Sequence, residues 1–262
     1  MNEQPLHRMF HHYSEMPYSQ RVLFTATLLT LGLGYLFALI YIFDTYAGRA
    51  GDSSGMVSYE DIVVGYSGSG QGSVLESALT GPMRDMLPHE EGAVILAWAR
   101  EGAKPEAFET DIRPIVEKRC LICHDGSNPH IPNLTGYDNV KKLIAADTGP
   151  SIATLVRVSH IHLFGVTFIF FVMGLIFSHA YLRPIWLKCA IIALPFAAIA
   201  SDVSSWYFVR LFHPFALVVM GGGAVMAACF ATMWLVSMYQ LWFSKPPLVV
   251  LQRHGGDIPS IH

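Results

Sequence analysis

The sequence predicts a mainly α-helical membrane protein: four transmembrane helices, with a small all-α domain inserted between the first and the second. Three observations carry this reading. Of the 262 residues, 52% are hydrophobic and 14% charged, against about 25% charged in soluble domains, and mean hydropathy is +0.40. The apolar residues gather in four runs of membrane-crossing length. The polar stretch between the first two runs carries helical periodicity.

The first run, Arg21 to Phe43, is almost uninterrupted; at 1.5 Å per residue it spans roughly 34 Å, enough for a hydrocarbon core. A cleaved signal peptide would be shorter and end in an A-x-A-like site, which Asp44-Thr-Tyr-Ala-Gly-Arg-Ala does not clearly offer, so an uncleaved anchor is expected. Three more runs follow, at about 159–181, 186–209 and 214–242, closing the membrane region at residue 242. Residues 1–20 form a leading segment, and 243–262 a Pro- and Gly-containing tail.

The net charge of −3 conceals a division: sixteen acidic and ten basic side chains between Asp44 and Arg157 leave −6, and the remainder carries +3. An acidic middle region favours basic or dipolar partners and argues against nucleic acid. No P-loop, dinucleotide fingerprint or hydrolase motif occurs, so substrate chemistry on this chain is not expected. Cys189 and Cys229 lie in apolar runs and read as small buried hydrophobes.

Residues 44–158 hold the most specific chemistry. Gly65 to Gly72 reads as a Ser/Gly linker, with a folded core at about 73–157. Glu90 to Arg100 and Ala107 to Leu121 have apolar residues at helical spacing, and Tyr137 to Ala146 forms a third short helix. The second of these leads into Cys120-Leu-Ile-Cys123-His124. A Cys-x-x-Cys pair alone fits a redox dithiol or half a zinc site; the following His favours covalent haem attachment, with both thiols bound to the porphyrin edge and the imidazole on iron.

Phe108 to Gly126, through Ile112, Pro114, Val116 and the Cys-x-x-Cys-His run, resembles the haem-binding opening of monohaem c-type cytochrome domains. The resemblance implies a cytochrome c-like domain with one haem c on Cys120 and Cys123, His124 as proximal ligand, and a methionine from another loop as sixth ligand. Leu79 to Ala103, containing Met83, Met86, Pro88 and Trp98, resembles the closing loop and helix of that family, but precedes the Cys motif. The order therefore resembles a circular permutation, joined through Gly102 to Pro105. Met83 or Met86 is the expected distal ligand, with His130, His89 and His160 as alternatives. The thioether would give a higher potential than a second imidazole.

A second cluster lies in the apolar runs. His160 and His162 open the second helix, Asp202, Trp206 and Arg210 lie in the third, and His213 with Pro214 opens the fourth. Ionisable groups at membrane depth usually face a bundle interior or a site. Three readings stand: a quinol site using His and Asp202 as proton acceptors, a b-type haem held by a second-helix His and His213, or polar packing with Asp202 paired to a His or Arg.

Haem attachment places residues 44–158 in the periplasm of a bacterial inner membrane, with both termini cytoplasmic. Basic residues agree: Arg8, Arg21, Arg183, Lys188, Lys245 and Arg253 fall on the cytoplasmic side, against Arg210 in the short outer loop. The expected function is electron transfer in an inner-membrane respiratory complex, from quinol or a partner subunit to periplasmic redox proteins. An anchor subunit with a structural haem, or a haem-based redox or gas sensor, is the alternative.

Overall fold

The computed structural model describes residues 11–51, 55–70, 72–81, 83–129, 131–245 and 248. Every named element among them is helical, with one isolated antiparallel bridge, Ser73 to Ala146. The chain forms two compact units: Met1–Leu39, Ala153–Phe208 and Pro214–His262 in one, Ile40–Ile152 and Val209–His213 in the other.

Four helices are long and apolar enough to cross a membrane: Tyr18–Tyr46, Ile152–Phe177, Ile185–Val209 and Phe215–Trp242. The first is longer at both ends than its apolar run. The second starts at Ile152, not near Ser159, because the turn containing Arg157 is helical although charged. Its end at Phe177 leaves His179 and Tyr181 in the following turn.

In the first unit the core is built from Leu28, Phe170, Met173, Phe177, Cys229, Phe230, Met233 and Leu241. Tyr35 stacks on Phe230 with ring centroids 4.1 Å apart and planes 9° apart. Trp234 donates to the Leu28 carbonyl at 2.8 Å, and a Cβ at Gly32 would lie 2.8 Å from that indole nitrogen, so only glycine admits it. Gly222 approaches Asp202 and Gly174 approaches Ile192, whereas Gly165, Gly221 and Gly223 face open space. Cys229 is buried as expected; Cys189 is exposed, since it lies on the outer face of its helix.

One end of this unit is closed by the leading segment. Tyr13 donates to the Ile176 carbonyl at 2.7 Å and pairs with the Ser237 hydroxyl at 2.9 Å. The Gln240 amide brackets Tyr181, accepting from its N–H at 2.7 Å and donating to its carbonyl at 2.9 Å, and meets the His12 ring at 3.2 Å. Lys188, 6% exposed, donates to the Ser178 and Ala180 carbonyls at 2.5 and 2.8 Å, satisfying acceptors left open where a helix ends.

The second unit contains helices Tyr59–Ser67, Val74–Thr80, His89–Arg100 and Tyr137–Lys142, and a composite helical segment from 105 to 120. Pro114 interrupts the regular ladder of that segment because it has no N–H. The turns on either side, Phe108–Ile112 and Val116–Cys120, widen to π geometry, with Arg113 N–H bonded to the Phe108 carbonyl and Leu121 N–H to that of Val116. The core joins Leu75, Ile95, Trp98, Phe108, Ile112, Val116, Leu134 and Val140. Trp98 lies 5.6 Å from Phe108, and Phe108 lies 5.5 Å edge-on to Tyr137.

The expected linker at 65–72 is instead a packed corner. Gly65 lies inside Tyr59–Ser67 against the Tyr46 ring. Gly68 and Gly149, with φ of +79° and +77°, let the backbones of Tyr66 and Asp147 approach where a Cβ would collide. Ser58 and Asp61 form a capping box at the start of Tyr59–Ser67, a Ser-x-x-Asp signal present in the sequence.

Two outcomes follow. Truncation of Trp98 to Ala should destabilise the second unit by about 3–5 kcal/mol, read as a lower midpoint in urea or thermal unfolding. Burial pushes the Asp61 carboxyl up, but N–H groups of Ser58, Ala50 and Gly48 and the Ser58 hydroxyl outweigh it and hold the pKa below its ordinary 3.8. Its contribution to stability is therefore complete above that value and is lost as the pH falls through the depressed one. Asp61→Asn should flatten the acid limb of stability against pH, measured by circular dichroism.

Candidate functional site

Cys120 ends the 105–120 segment, and the motif after it turns tightly. The N–H groups of Cys123 and His124 both donate to the Cys120 carbonyl, at 3.1 and 2.9 Å. Both thiols are free, with Cys120 half-buried and Cys123 exposed; Ile122 between them is 78% exposed. Burial pushes the Cys120 thiol up, and the nearby Glu91 charge adds to that.

His124 Nδ1 donates to the Pro132 carbonyl at 2.7 Å. A carbonyl only accepts, so the proton lies on Nδ1 and the Nε2 lone pair is left for a metal, the arrangement in which a ligating imidazole is oriented by its outer partner. The chain returns to make this contact: Leu134 N–H donates to the His124 carbonyl at 2.9 Å, and Asn133 accepts from the N–H and hydroxyl of Thr135 at 2.8 and 2.6 Å. Gly126, φ +88°, is where a side chain would strike the Asn133 amide. The role of Pro132 had no sequence signal, since any residue can offer a carbonyl.

Met83 and Met86 lie on the turn between the helices Val74–Thr80 and His89–Arg100. Met83 N–H donates to the Ala78 carbonyl at 2.8 Å, and Met86 N–H to that of Met83 at 3.1 Å. Met83 is half-buried and Met86 is 69% exposed. The helix that follows is tied to the Cys motif by Glu91, which accepts from Arg119 Nε and Nη2 at 2.8 and 3.1 Å and lies 3.5 Å from Lys118. The Arg119 hydrogen bonds hold the Glu91 carboxyl below its usual range. His89 starts that helix with its side chain exposed, and His130 lies outside the described residues.

Cys120, Cys123 and His124 are not gathered around one point: among the described residues, no group of three His, Cys, Asp or Glu side chains is placed to hold a single ion. A closed zinc site needs such convergence.

In the apolar helices, the structure brings together part of the expected cluster. The His162 ring meets Trp206 edge-on at 5.1 Å, and Trp206 Nε1 donates to Asp202 at 3.3 Å. Ser159 and Tyr207 hydroxyls are 2.9 Å apart. His160 turns to a different side and lies 5.1 Å from Phe164. His160 and His162 sit within the helix, not at its start. Arg210 does not pair with Asp202; its guanidinium donates to the Pro150 and Thr148 carbonyls at 3.1 and 3.2 Å. His213 is exposed and belongs to the second unit.

A family model described as a transmembrane helical domain matches residues 149–248, the stretch containing the last three apolar helices. No curated protein and no solved structure matches the chain.

Removing the Glu91 charge should lower the Cys120 thiol pKa. In protein prepared without cofactor, Glu91→Gln should raise the iodoacetamide alkylation rate of Cys120 relative to Cys123 at pH 8. An unchanged ratio would contradict the coupling.

Proposed function

We propose that this chain is an electron-transfer subunit of a bacterial inner-membrane redox complex, carrying one covalently attached c-type haem in a cytochrome c-like periplasmic domain. The observation that carries this reading is His124 Nδ1 donating to Pro132: in a Cys-x-x-Cys-His motif, it leaves the imidazole nitrogen opposite the backbone contact ready for iron. When bound, the haem supplies a one-electron ferric/ferrous couple.

The chain's residues divide the remaining work. Cys120 and Cys123 would hold the haem covalently, His124 would ligate its iron, and Met83 or Met86 would complete the coordination. Met83 is favoured because it is the less exposed of the two. Trp98, Phe108 and Tyr137 hold the elements that carry these ligands, and Pro132 fixes the imidazole plane. The basic residues Arg21, Arg183 and Lys245 support a cytoplasmic placement of that end of the helices. Residues 44–158 then face the periplasm, where soluble redox proteins dock.

Haem staining after denaturing electrophoresis tests the proposal. The full chain should retain one haem with a c-type pyridine haemochrome, and Cys120→Ser with Cys123→Ser should abolish staining; no covalent haem in the wild type overturns the reading. Met83→Leu should remove the methionine-sulfur absorption band and lower the reduction potential, while Met86→Leu leaves both unchanged; the reverse would assign Met86.

A further inference from the structure

We propose that residues 11–16 are a pH-operated latch on one end of the apolar helices, docked while His12 is neutral and released when its imidazole takes a proton. The latch is independent of the electron-transfer reading, because every group in it belongs to the unit of apolar helices. His12 is 0% exposed and precedes the short turn Tyr13–Glu15, where it forms a capping box with Glu15. Tyr13 and Met16 enter the core of the helices. The Tyr13 hydroxyl bonds to the Ile176 carbonyl of helix Ile152–Phe177 and to Ser237 of helix Phe215–Trp242, so the turn closes over both.

Both imidazole nitrogens are engaged, and their partners fix which one carries the proton. Nδ1 accepts from the Ser14 N–H at 3.2 Å, so it holds the lone pair. Nε2 lies 3.2 Å from Gln240 Oε1. That oxygen is identified by the backbone of Tyr181, whose N–H donates to it while the Gln240 amide nitrogen donates to the Tyr181 carbonyl. Nε2 therefore donates, and His12 is docked as the neutral Nε2–H tautomer. A second proton can go only to Nδ1, where it faces the Ser14 N–H. The cap is then lost and a charge is left buried, at a cost that undocking relieves. His179 behaves differently: its Nδ1 donates to the His11 carbonyl at 2.9 Å, a bond that survives protonation at Nε2.

The charged and titratable groups around His12 come from several elements. Tyr13 and Glu15 lie in the same turn, with Glu15 Oε2 held by the His12 backbone N–H at 2.8 Å. Arg21 belongs to helix Tyr18–Tyr46, His179 follows helix Ile152–Phe177, Lys188 belongs to helix Ile185–Val209, and helix Phe215–Trp242 presents the uncharged Gln240. Burial pushes the imidazole pKa below its ordinary 6.5 and outweighs the Gln240 bond and the Glu15 charge, which raise it; Lys188 and Arg21 lower it further. Docking is therefore at full strength above that ordinary value. It weakens by up to about tenfold per pH unit as the pH falls from there through the depressed one.

Hydrogen–deuterium exchange of the full chain in detergent micelles tests the latch. After correction for the intrinsic pH dependence of amide exchange, the peptide covering 11–17 should lose protection about tenfold between about pH 7.5 and 5.5. A peptide within 29–38 should not change. His12→Asn, whose side-chain oxygen still accepts from the Ser14 N–H, should stay protected at both values. His12→Lys, a fixed cation, should be unprotected at both, and His179→Gln should follow the wild type. Flat protection of 11–17 in the wild type, or an equal loss in His12→Asn, overturns the latch. So does a transition that His179→Gln abolishes. The wild-type titration decides by itself if a variant misfolds: loss that sets in only below about pH 5, where carboxylates titrate, overturns the assignment to His12.

Discussion

Backbone carbonyls that no helix ladder satisfies govern how this chain holds together. A buried unpaired acceptor costs about 1–3 kcal/mol, and a chain of apolar helices has little water to supply the missing donor. The protein answers with its long polar side chains. Lys188 covers Ser178 and Ala180, Arg21 covers Leu241, and Arg210 covers Thr148 and Pro150. In the second unit Trp98 donates to Lys104 at 2.9 Å and Tyr137 to Ala103 at 3.0 Å. These two bonds fix the connection between the helix before the Cys motif and the segment that carries it.

The same interaction at His124 has a chemical consequence. Its bond to Pro132 satisfies a carbonyl and also chooses the tautomer, leaving the Nε2 lone pair open. The core of this unit is joined by Trp98, Phe108 and Tyr137, each from a different element. Glu91 adds orientation: its contacts with Arg119 and Lys118 are surface ion pairs of small energetic weight, but they join the helix His89–Arg100 to the turn that ends at Cys120.

In the apolar helices the polar groups follow another rule. Ser201, Ser204 and Ser205 return their hydroxyls to carbonyls one turn back, as hydroxyls in apolar helices do. Asp202 accepts instead from an indole of its own helix that touches a histidine of a neighbouring one, and lies against a glycine of another.

Composition and periodicity alone determined the four apolar helices, the helices read at 90–100 and 107–121, and the candidate thiols and imidazole. These follow from hydrophobic period and local spacing, which are properties of adjacent residues. The widened turns around Pro114 and the closure of 66–70 against 147–149 depended on tertiary packing. So did the assignment of Arg210 to carbonyls rather than to Asp202, and the use of Pro132 to orient His124. A charge or a carbonyl in sequence names no partner. Only the folded chain decides which acceptor lies within 3 Å of which donor, because that distance is set by segments far apart in sequence.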